Sequence, residues 1–373
     1  MNEAVITGTG LYTPEHAIDN AALVSAFNTW VDSENARHGD EIARGEREPL
    51  AHSSSEFIEK ASGIKSRYVL DAAGILDPER LRPRLPQRAN DEPSIQCEMA
   101  VSAARQALEN ARVAAQDIDL VIVACSNLER AYPAVAVEVQ QALGTSGYGF
   151  DMNVACSSAT FAIDAATSAI VSGRIKRALV INPEICSAHL NFQDRDSHFI
   201  FGDACTAVVL ENSADAVAKE RFAILGTRLV TQFSNAIRNN AGFLNRVTDS
   251  DPLALDKLFV QEGRRVFREV CPMVAQLISE HLASLELSGD DLKTMWLHQA
   301  NRHMNDLIAR KVLGFEPSEE QAPIILDRYA NTSSAGSIIA FHLHRSGLKK
   351  GDIGVICSFG AGYSAGSVIV QRQ

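Results

Sequence analysis

Asn153-Val154-Ala155-Cys156-Ser157-Ser158-Ala159-Thr160 is the stretch from which the rest of the chain is read. It sets one cysteine between a short apolar segment and a run of small residues that predicts a helix over Ser157 to Ser172. A thiol in the first turn of a helix faces unpaired backbone N–H groups and the positive end of the macrodipole. Both favour the thiolate, the form that attacks carbonyl carbon. A lone cysteine is more often a small core residue, so Cys156 gains meaning only from its surroundings.

Outward from it the chain is regular. A helix over about 94–112 leads to the apolar strand Asp119 to Cys125, a helix near 133–143 and the segment Phe150-Asp151-Met152, which delivers Cys156. After Ser172-Gly173 come the strand Arg177 to Asn182 and another from Thr206 to Glu211. The order then repeats. A helix near 263–285 leads to Thr294-Met295-Trp296-Leu297 and His298-Gln299-Ala300-Asn301, and a helix follows over about 302–313. Pro323 to Asp327 corresponds to the 150–152 strand, and Asn331-Thr332-Ser333-Ser334-Ala335-Gly336 opens a helix ending at Ser346-Gly347. Counted from Cys156 and from Asn331, the two small-residue helices differ in length by one residue. Each leads through a basic turn to an apolar strand, the second being Ile353 to Cys357. A repeat of about 170 residues is too long for a solenoid. It predicts two similar βαβ-rich halves, 1–212 and 213–373, with the Cys156 and Asn331 helices buried side by side at the centre. Residues 33–55 are polar, and 71–93 carry four prolines among arginines; both read as surface excursions or mobile lids.

Composition narrows the function. The 373 residues are 46% hydrophobic and 22% charged, as in an ordinary soluble protein. The N-terminus lacks a signal-like apolar segment, and no apolar run approaches the roughly 20 residues of a membrane span. A cytoplasmic protein is expected. Seven scattered cysteines (Cys97, Cys125, Cys156, Cys186, Cys205, Cys271 and Cys357) form no C-x-x-C pair, so neither a disulfide framework nor a zinc site is indicated. A net charge of −11 argues against a general nucleic-acid binder. Gly8-Thr9-Gly10 ends an apolar strand, but Thr13 occupies the third glycine position of a dinucleotide fingerprint.

Cys156 in V-A-C-S-S-A-T, His298 in H-Q-A-N, Asn331 in N-T-S-S-A-G and the ending Phe359-Gly360-Ala361-Gly362 resemble the thiolase-fold condensing enzymes, most closely β-ketoacyl-acyl-carrier-protein synthase III. Ser62-Gly63-Ile64, Phe201-Gly202-Asp203 and Gly366-Ser367 extend the resemblance over nearly the whole chain. It implies an α/β, thiolase-like fold whose duplicated halves form a five-layered αβαβα architecture. It also implies an acyltransferase of fatty acid biosynthesis that condenses an acyl-coenzyme A primer with malonyl carrier protein, a homodimer, no metal and no other cofactor. Cys156 is then the nucleophile, and its N–H with that of Ala361 forms the oxyanion site. Decarboxylation of malonyl thioester leaves an enolate oxygen needing two neutral donors, the tasks of His298 and Asn331. A second histidine in place of Asn331 would indicate the elongating synthases. The alternatives are an acyltransferase or specialised-metabolite synthase with another acceptor, or a non-catalytic partner subunit; the intact triad argues against the last.

The plainer alternatives are specific. His298 could be a core histidine or, with His303, a metal ligand, but a spacing of five does not put two imidazoles on one helical face. Asn331 also fits a helix N-cap, and His342 and His344 fit packing or surface roles. The resemblance further places Arg195 and Phe57 on either side of the coenzyme A adenine, and Tyr132 across the dimer toward the acyl pocket. Ala61 stands where the family commonly has a phosphate-binding arginine, and the arginines of 80–88 are candidates to replace it. Arg268, Arg302 and Arg310 are assigned to the basic surface that receives the acidic carrier protein. Primer length is not legible.

Overall fold

The structure is a computed structural model that describes residues 2–251 and 254–373. The first half opens with β1 (Ala4–Tyr12), β2 (His16–Asp19), α1 (Asn20–Arg37), α2 (Gly39–Ala43), α3 (Ser55–Ser62), β3 (Ser66–Val69) and α4 (Ala72–Leu76). It continues through α5 (Ile95–Ala111), β4 (Leu120–Ala124), α6 (Val135–Leu143), β5 (Tyr148–Met152), α7 (Ser158–Val171), β6 (Arg177–Ile185) and β7 (Asp203–Asn212). The second half contains β8 (Phe222–Ser234), β9 (Ile237–Arg238), β10 (Val260–Gln261), α8 (Gly263–Ser284), β11 (Leu292–Leu297) and α9 (Arg302–Leu313). It ends with α10 (Leu326–Tyr329), α11 (Ala335–His344), β12 (Ile353–Gly360) and β13 (Gly362–Arg372).

Nine strands are hydrogen-bonded in the order β11-β12-β13-β8-β1-β7-β6-β4-β5. Outward from the antiparallel β1–β8 seam, where Val5 faces Ala223, both sides follow one scheme. An antiparallel strand comes first (β7 or β13), then a second antiparallel one (β6 or β12), then a parallel one (β4 or β11). Among the described residues only the first half adds a further parallel strand, β5. Its expected counterpart at 323–327 is not a strand. Gln321 and Glu320 carbonyls meet the β11 edge at Met295 N–H and Thr294 Oγ1 (2.7 and 2.9 Å), and the chain then turns into α10.

Side-chain alternation along these strands builds the layers. Val121, Val123, Leu179 and Ile181 face the outer helices α5 and α6, where Ala103, Ala104 and Ala107 let the helix lie close. Gly10 shows how close, since a Cβ there would stand 1.9 Å from the Ala103 carbonyl oxygen. The alternate residues Leu120, Ile122 and Val180 face a central layer with Ala159, Ala162 and Ala166 of α7 and Ile338, Ile339 and Phe341 of α11. The same core holds Trp296, Ile356 and Val368 of the second half. Their neighbours Met295, Leu297, Val355 and Ile369 point the other way, against α8 and α9. Helix, sheet, helices, sheet, helix is the five-layered α/β order expected.

Residues 33–55 lie at the surface as expected, only Ser53 among them being buried, while α1 continues to Arg37 and α2 follows. Three expectations change. In 71–93, Ile75 and Leu81 are buried in a core with Ile58 and Phe199, so this segment is anchored. The two central helices are also unequal, 14 residues for α7 and 10 for α11. Asn331 is not the cap of α11; Ser334 occupies that position without a side-chain capping bond.

Candidate active site

Cys156 lies in a single 3-10 turn, Ala155–Ser157, just before α7. The turn is tied down locally. Asn153 Oδ1 accepts from Ala155 N–H (3.0 Å), Ser158 Oγ accepts from Val154 N–H (2.9 Å), and Ser157 Oγ donates to the Ser364 carbonyl (2.9 Å). Ala155 is held at φ +46°, a conformation non-glycine residues rarely adopt. This turns the thiol toward the second half, where Gly360 ends β12. A Cβ at Gly360 would stand 2.6 Å from Cys156 Cβ and 3.0 Å from Sγ, so glycine is required by the thiol itself.

The helix-end effect does not decide the ionisation. Burial pushes the Cys156 thiol up to about 11, against the Ser333 hydroxyl and the Ala361 and Cys156 backbone N–H groups; buried Glu184 adds to the rise. Cys156 therefore rests as a thiol, correcting the expectation of a thiolate. The Ser333 Oγ–Sγ distance is 3.5 Å. The Ala361 and Cys156 N–H groups both favour the charged sulfur.

His298 follows the last residue of β11, and its N–H donates to the Cys357 carbonyl (2.8 Å), prolonging the pairing with β12. Burial holds the ring near pKa 4 against a smaller opposing hydrogen bond with the Ser333 backbone, so it is neutral at pH 7. Its Nδ1 is buried without a protein partner. The ring packs edge-on against Phe359, centroids 5.2 Å apart. Asn331 is fixed by a bridge to the first half: its N–H donates to Ile200 O (2.9 Å) and its carbonyl accepts from Gly202 N–H (3.1 Å). Its Oδ1 accepts from Ser333 N–H (2.8 Å), which leaves the side-chain amide as the free donor end.

Cys156, His298, Asn331 and Gly360 line one cavity of about 450 Å³. Its walls include Phe199, Phe201, Ile237, Phe259, Phe267 and Met304, with Ala61, Asp196, Arg264 and Asn301 among the polar or small lining residues. Arg195 and Phe57 are in direct contact, the guanidinium carbon 4.1 Å from the ring centroid, so a base would have to part them to lie between. Arg195 Nε also donates to the His52 carbonyl (2.7 Å). Tyr132 is 77% exposed, beside Phe243 rather than in this chain's cavity.

Arg268, Arg302 and Arg310 are all more than half exposed; Arg302 lies 3.8 Å from Asp306, and Arg310 pairs with Glu316 at 2.6 Å. The 80–88 arginines do not line the cavity. Arg80 is held by its own loop carbonyls and Arg88 by Glu98. His303 binds the Lys60 carbonyl and His342 binds Thr9. Among the described residues no cluster of three or more His, Cys, Asp or Glu is arranged to hold a metal, and no helix is long and apolar enough to cross a membrane.

Sequence reasoning missed Ser333 and Glu184. Glu184 carried a usable signal, a single acid inside the apolar strand Arg177–Ile185, where a buried charge needs dedicated donors.

A cysteine against a neutral histidine and a free amide, where the two halves meet, fits a condensing acyltransferase. The chain belongs to the 3-oxoacyl-[acyl-carrier-protein] synthase III family. That family's model matches residues 150–232 and its C-terminal model residues 282–372. A β-ketodecanoyl-[acyl-carrier-protein] synthase of Pseudomonas aeruginosa is 64% identical over 350 residues, 94% of this chain and 100% of the relative. The 3-oxoacyl-[acyl-carrier-protein] synthase III of Aquifex aeolicus superposes with TM-score 0.76 at 26% identity, covering 100% of both chains. The priming β-ketosynthase of the R1128 polyketide pathway superposes with TM-score 0.78 at 26% identity, covering 99% of this chain and 96% of its own. The enzyme is a ketoacyl synthase of fatty acid biosynthesis with a thiolase fold.

Proposed function

We propose that this enzyme joins a medium-chain acyl primer, carried by coenzyme A, to malonyl carrier protein through an acyl-Cys156 thioester. The convergence of Cys156, His298 and Asn331 on one largely apolar cavity carries the proposal. In the first half-reaction Cys156 Sγ forms a bond to the acyl carbonyl carbon, coenzyme A leaves as its thiol with the cysteine's proton, and Cys156 and Ala361 N–H groups hold the oxyanion. In the second, malonyl thioester loses carbon dioxide. The enolate oxygen takes hydrogen bonds from the single ring N–H of neutral His298 and from the Asn331 amide. The enolate carbon then bonds to the acyl carbon and Cys156 is released. A cationic imidazole would bind the malonyl carboxylate and oppose its departure; the depressed His298 pKa avoids this.

The P. aeruginosa relative supports an eight-carbon primer, since a β-ketodecanoyl product has ten carbons and malonyl contributes two. Phe57 and Arg195 would receive the coenzyme's adenine, and Arg268, Arg302 and Arg310 the carrier protein. Exposed Tyr132 fits a contact to a second copy in a homodimer. No step needs a metal or other cofactor, the thioesters being the substrates. The halves divide after Asn212, where β7 ends. Intact-protein mass after incubation with coenzyme A thioesters of two to twelve carbons tests the proposal. A Cys156 adduct most abundant with octanoyl is expected; an adduct with acetyl alone would overturn the primer assignment, and none with any primer would overturn the mechanism.

A further inference from the structure

Glu184 is a carboxylate with no exposed surface, one residue before the end of the apolar strand β6, and the mechanism above does not use it. Its surroundings are nevertheless built for it. Ser126 N–H donates to both oxygens (3.1 and 3.2 Å) and Ser126 Oγ to Oε2 (2.5 Å). From the other half, Ser334 donates through N–H to Oε1 (3.1 Å) and through its hydroxyl to the same oxygen. Ser126 follows β4 in the first half, whereas Ser334 is the third residue beyond Asn331. The carboxylate thus ties the two sheet systems together immediately beside the loop that carries Asn331 and Ser333. That loop places two site groups: the Asn331 amide, and the hydroxyl lying 3.5 Å from the nucleophilic sulfur.

We propose that Glu184 is a positioning residue for the condensation half-reaction, clamping Ser334 so that Asn331 and Ser333 are held against Cys156. The proposal rests on the roles assigned above to Cys156 and Asn331. Burial raises the Glu184 carboxyl while the Ser126 and Ser334 bonds lower it. A carboxylate accepts without donating, which suits four convergent donors; a glutamine would turn an amide N–H toward one of them. Glu184 acts repulsively on the Cys156 thiolate. The other titratable groups facing this cluster are Cys125, Cys186 and Cys205, all kept as thiols by burial, with Asp203 beyond them and neutral His298 on the opposite wall.

Two single variants of the full chain separate the effects. Glu184→Gln removes charge and half of the clamp. Ser334→Ala removes only the clamp's hydroxyl from the second half. For each, three quantities are measured: alkylation of Cys156 by iodoacetamide against pH, Cys156 acylation by octanoyl-coenzyme A, and decarboxylation of malonyl thioester. The alkylation midpoint is expected to rise in Ser334→Ala as the Ser333 hydroxyl loosens from the sulfur, and to lie about one pH unit lower in Glu184→Gln than in Ser334→Ala, because there a like charge is removed as well. Decarboxylation is expected to fall about tenfold in both, a loss of roughly one charge-assisted hydrogen bond, with acylation at pH 7 retained or raised. A midpoint unmoved in Ser334→Ala, or acylation and decarboxylation falling together in both variants, would overturn the proposal. The alkylation profile needs no turnover, so a wild-type chain that neither acylates nor decarboxylates counts against the assigned function and leaves the charge test standing.

Discussion

Asn153 and Asn331 make the same turn. Each side-chain oxygen accepts the backbone N–H two residues on, Ala155 at 3.0 Å and Ser333 at 2.8 Å, and each of those residues has positive φ, +46° and +50°. In this register Cys156 corresponds to Ser334, and the asparagine of the site is the twin of Asn153. One turn spends its side chain ahead of Cys156, while the other leaves an amide at a cavity wall. Loss of the Asn331 amide should therefore cost decarboxylation and spare acylation. Asn331→Asp keeps the acceptor that fixes the turn and replaces the donor; malonyl decarboxylation is expected to drop by about a hundredfold, some 2.7 kcal/mol. Equal loss of both half-reactions would show that the variant disturbs the turn instead.

Gly360 is predicted to be intolerant of any side chain. Gly360→Ala puts a methyl 3.0 Å from the sulfur, displacing the nucleophile by a distance that costs about a hundredfold or more when reacting atoms are misaligned. Acyl-adduct formation followed by mass should fall by that factor, with an unchanged circular dichroism spectrum.

The pH dependence has a definite sign. With Cys156 pushed up to about 11, deprotonation gives the reactive form only at high pH. Iodoacetamide labelling should rise about tenfold per pH unit from 7 to 10. Ser333→Ala removes the sulfur's hydroxyl donor, moves the midpoint higher and slows labelling at pH 8 by about fivefold, the equivalent of ~1 kcal/mol. Labelling that is already flat above pH 7 would contradict the buried thiol.

Arg195 is stacked on Phe57 and anchored to the His52 carbonyl. Arg195→Ala is expected to raise KM for octanoyl-coenzyme A about tenfold while leaving octanoyl-pantetheine, which lacks the adenine, unchanged. Parallel loss with both thioesters would move the arginine's role from the nucleotide to the pocket.

The sequence displayed the fold where periodicity was strong, in the apolar strands around 120–124 and 177–182 and in the duplicated order. It misaligned the duplication by matching Cys156 to Asn331, because two Ser-Gly helix ends at similar distances mimic a register that only backbone angles settle. Pro323 to Asp327 has an apolar run of strand character, yet Gln299 captures it through Pro323 O and Ile325 N–H (3.4 and 3.0 Å), a side-chain contact no local pattern reveals. Cys156, His298 and Asn331 were legible as chemistry in fixed motifs. Ser333 was not, because a serine in a small-residue run declares a role only through long-range partners, and Glu184, though marked as the one acid of an apolar strand, shows its partners only in the fold. The thiol's ionisation was hidden for the same reason: helix position is local, whereas burial is a property of the closed molecule.

The central helices have a consequence for how the chain comes apart. Residues of α7 and α11 share one core with strands of both halves, including Trp296, Ile356 and Val368. A chain cut between Asn212 and Phe222 would leave each fragment with an apolar face unpaired, so neither should persist as a folded half-enzyme. Unfolding should instead be a single cooperative event in which the reactive centre and the structural keystone are lost together.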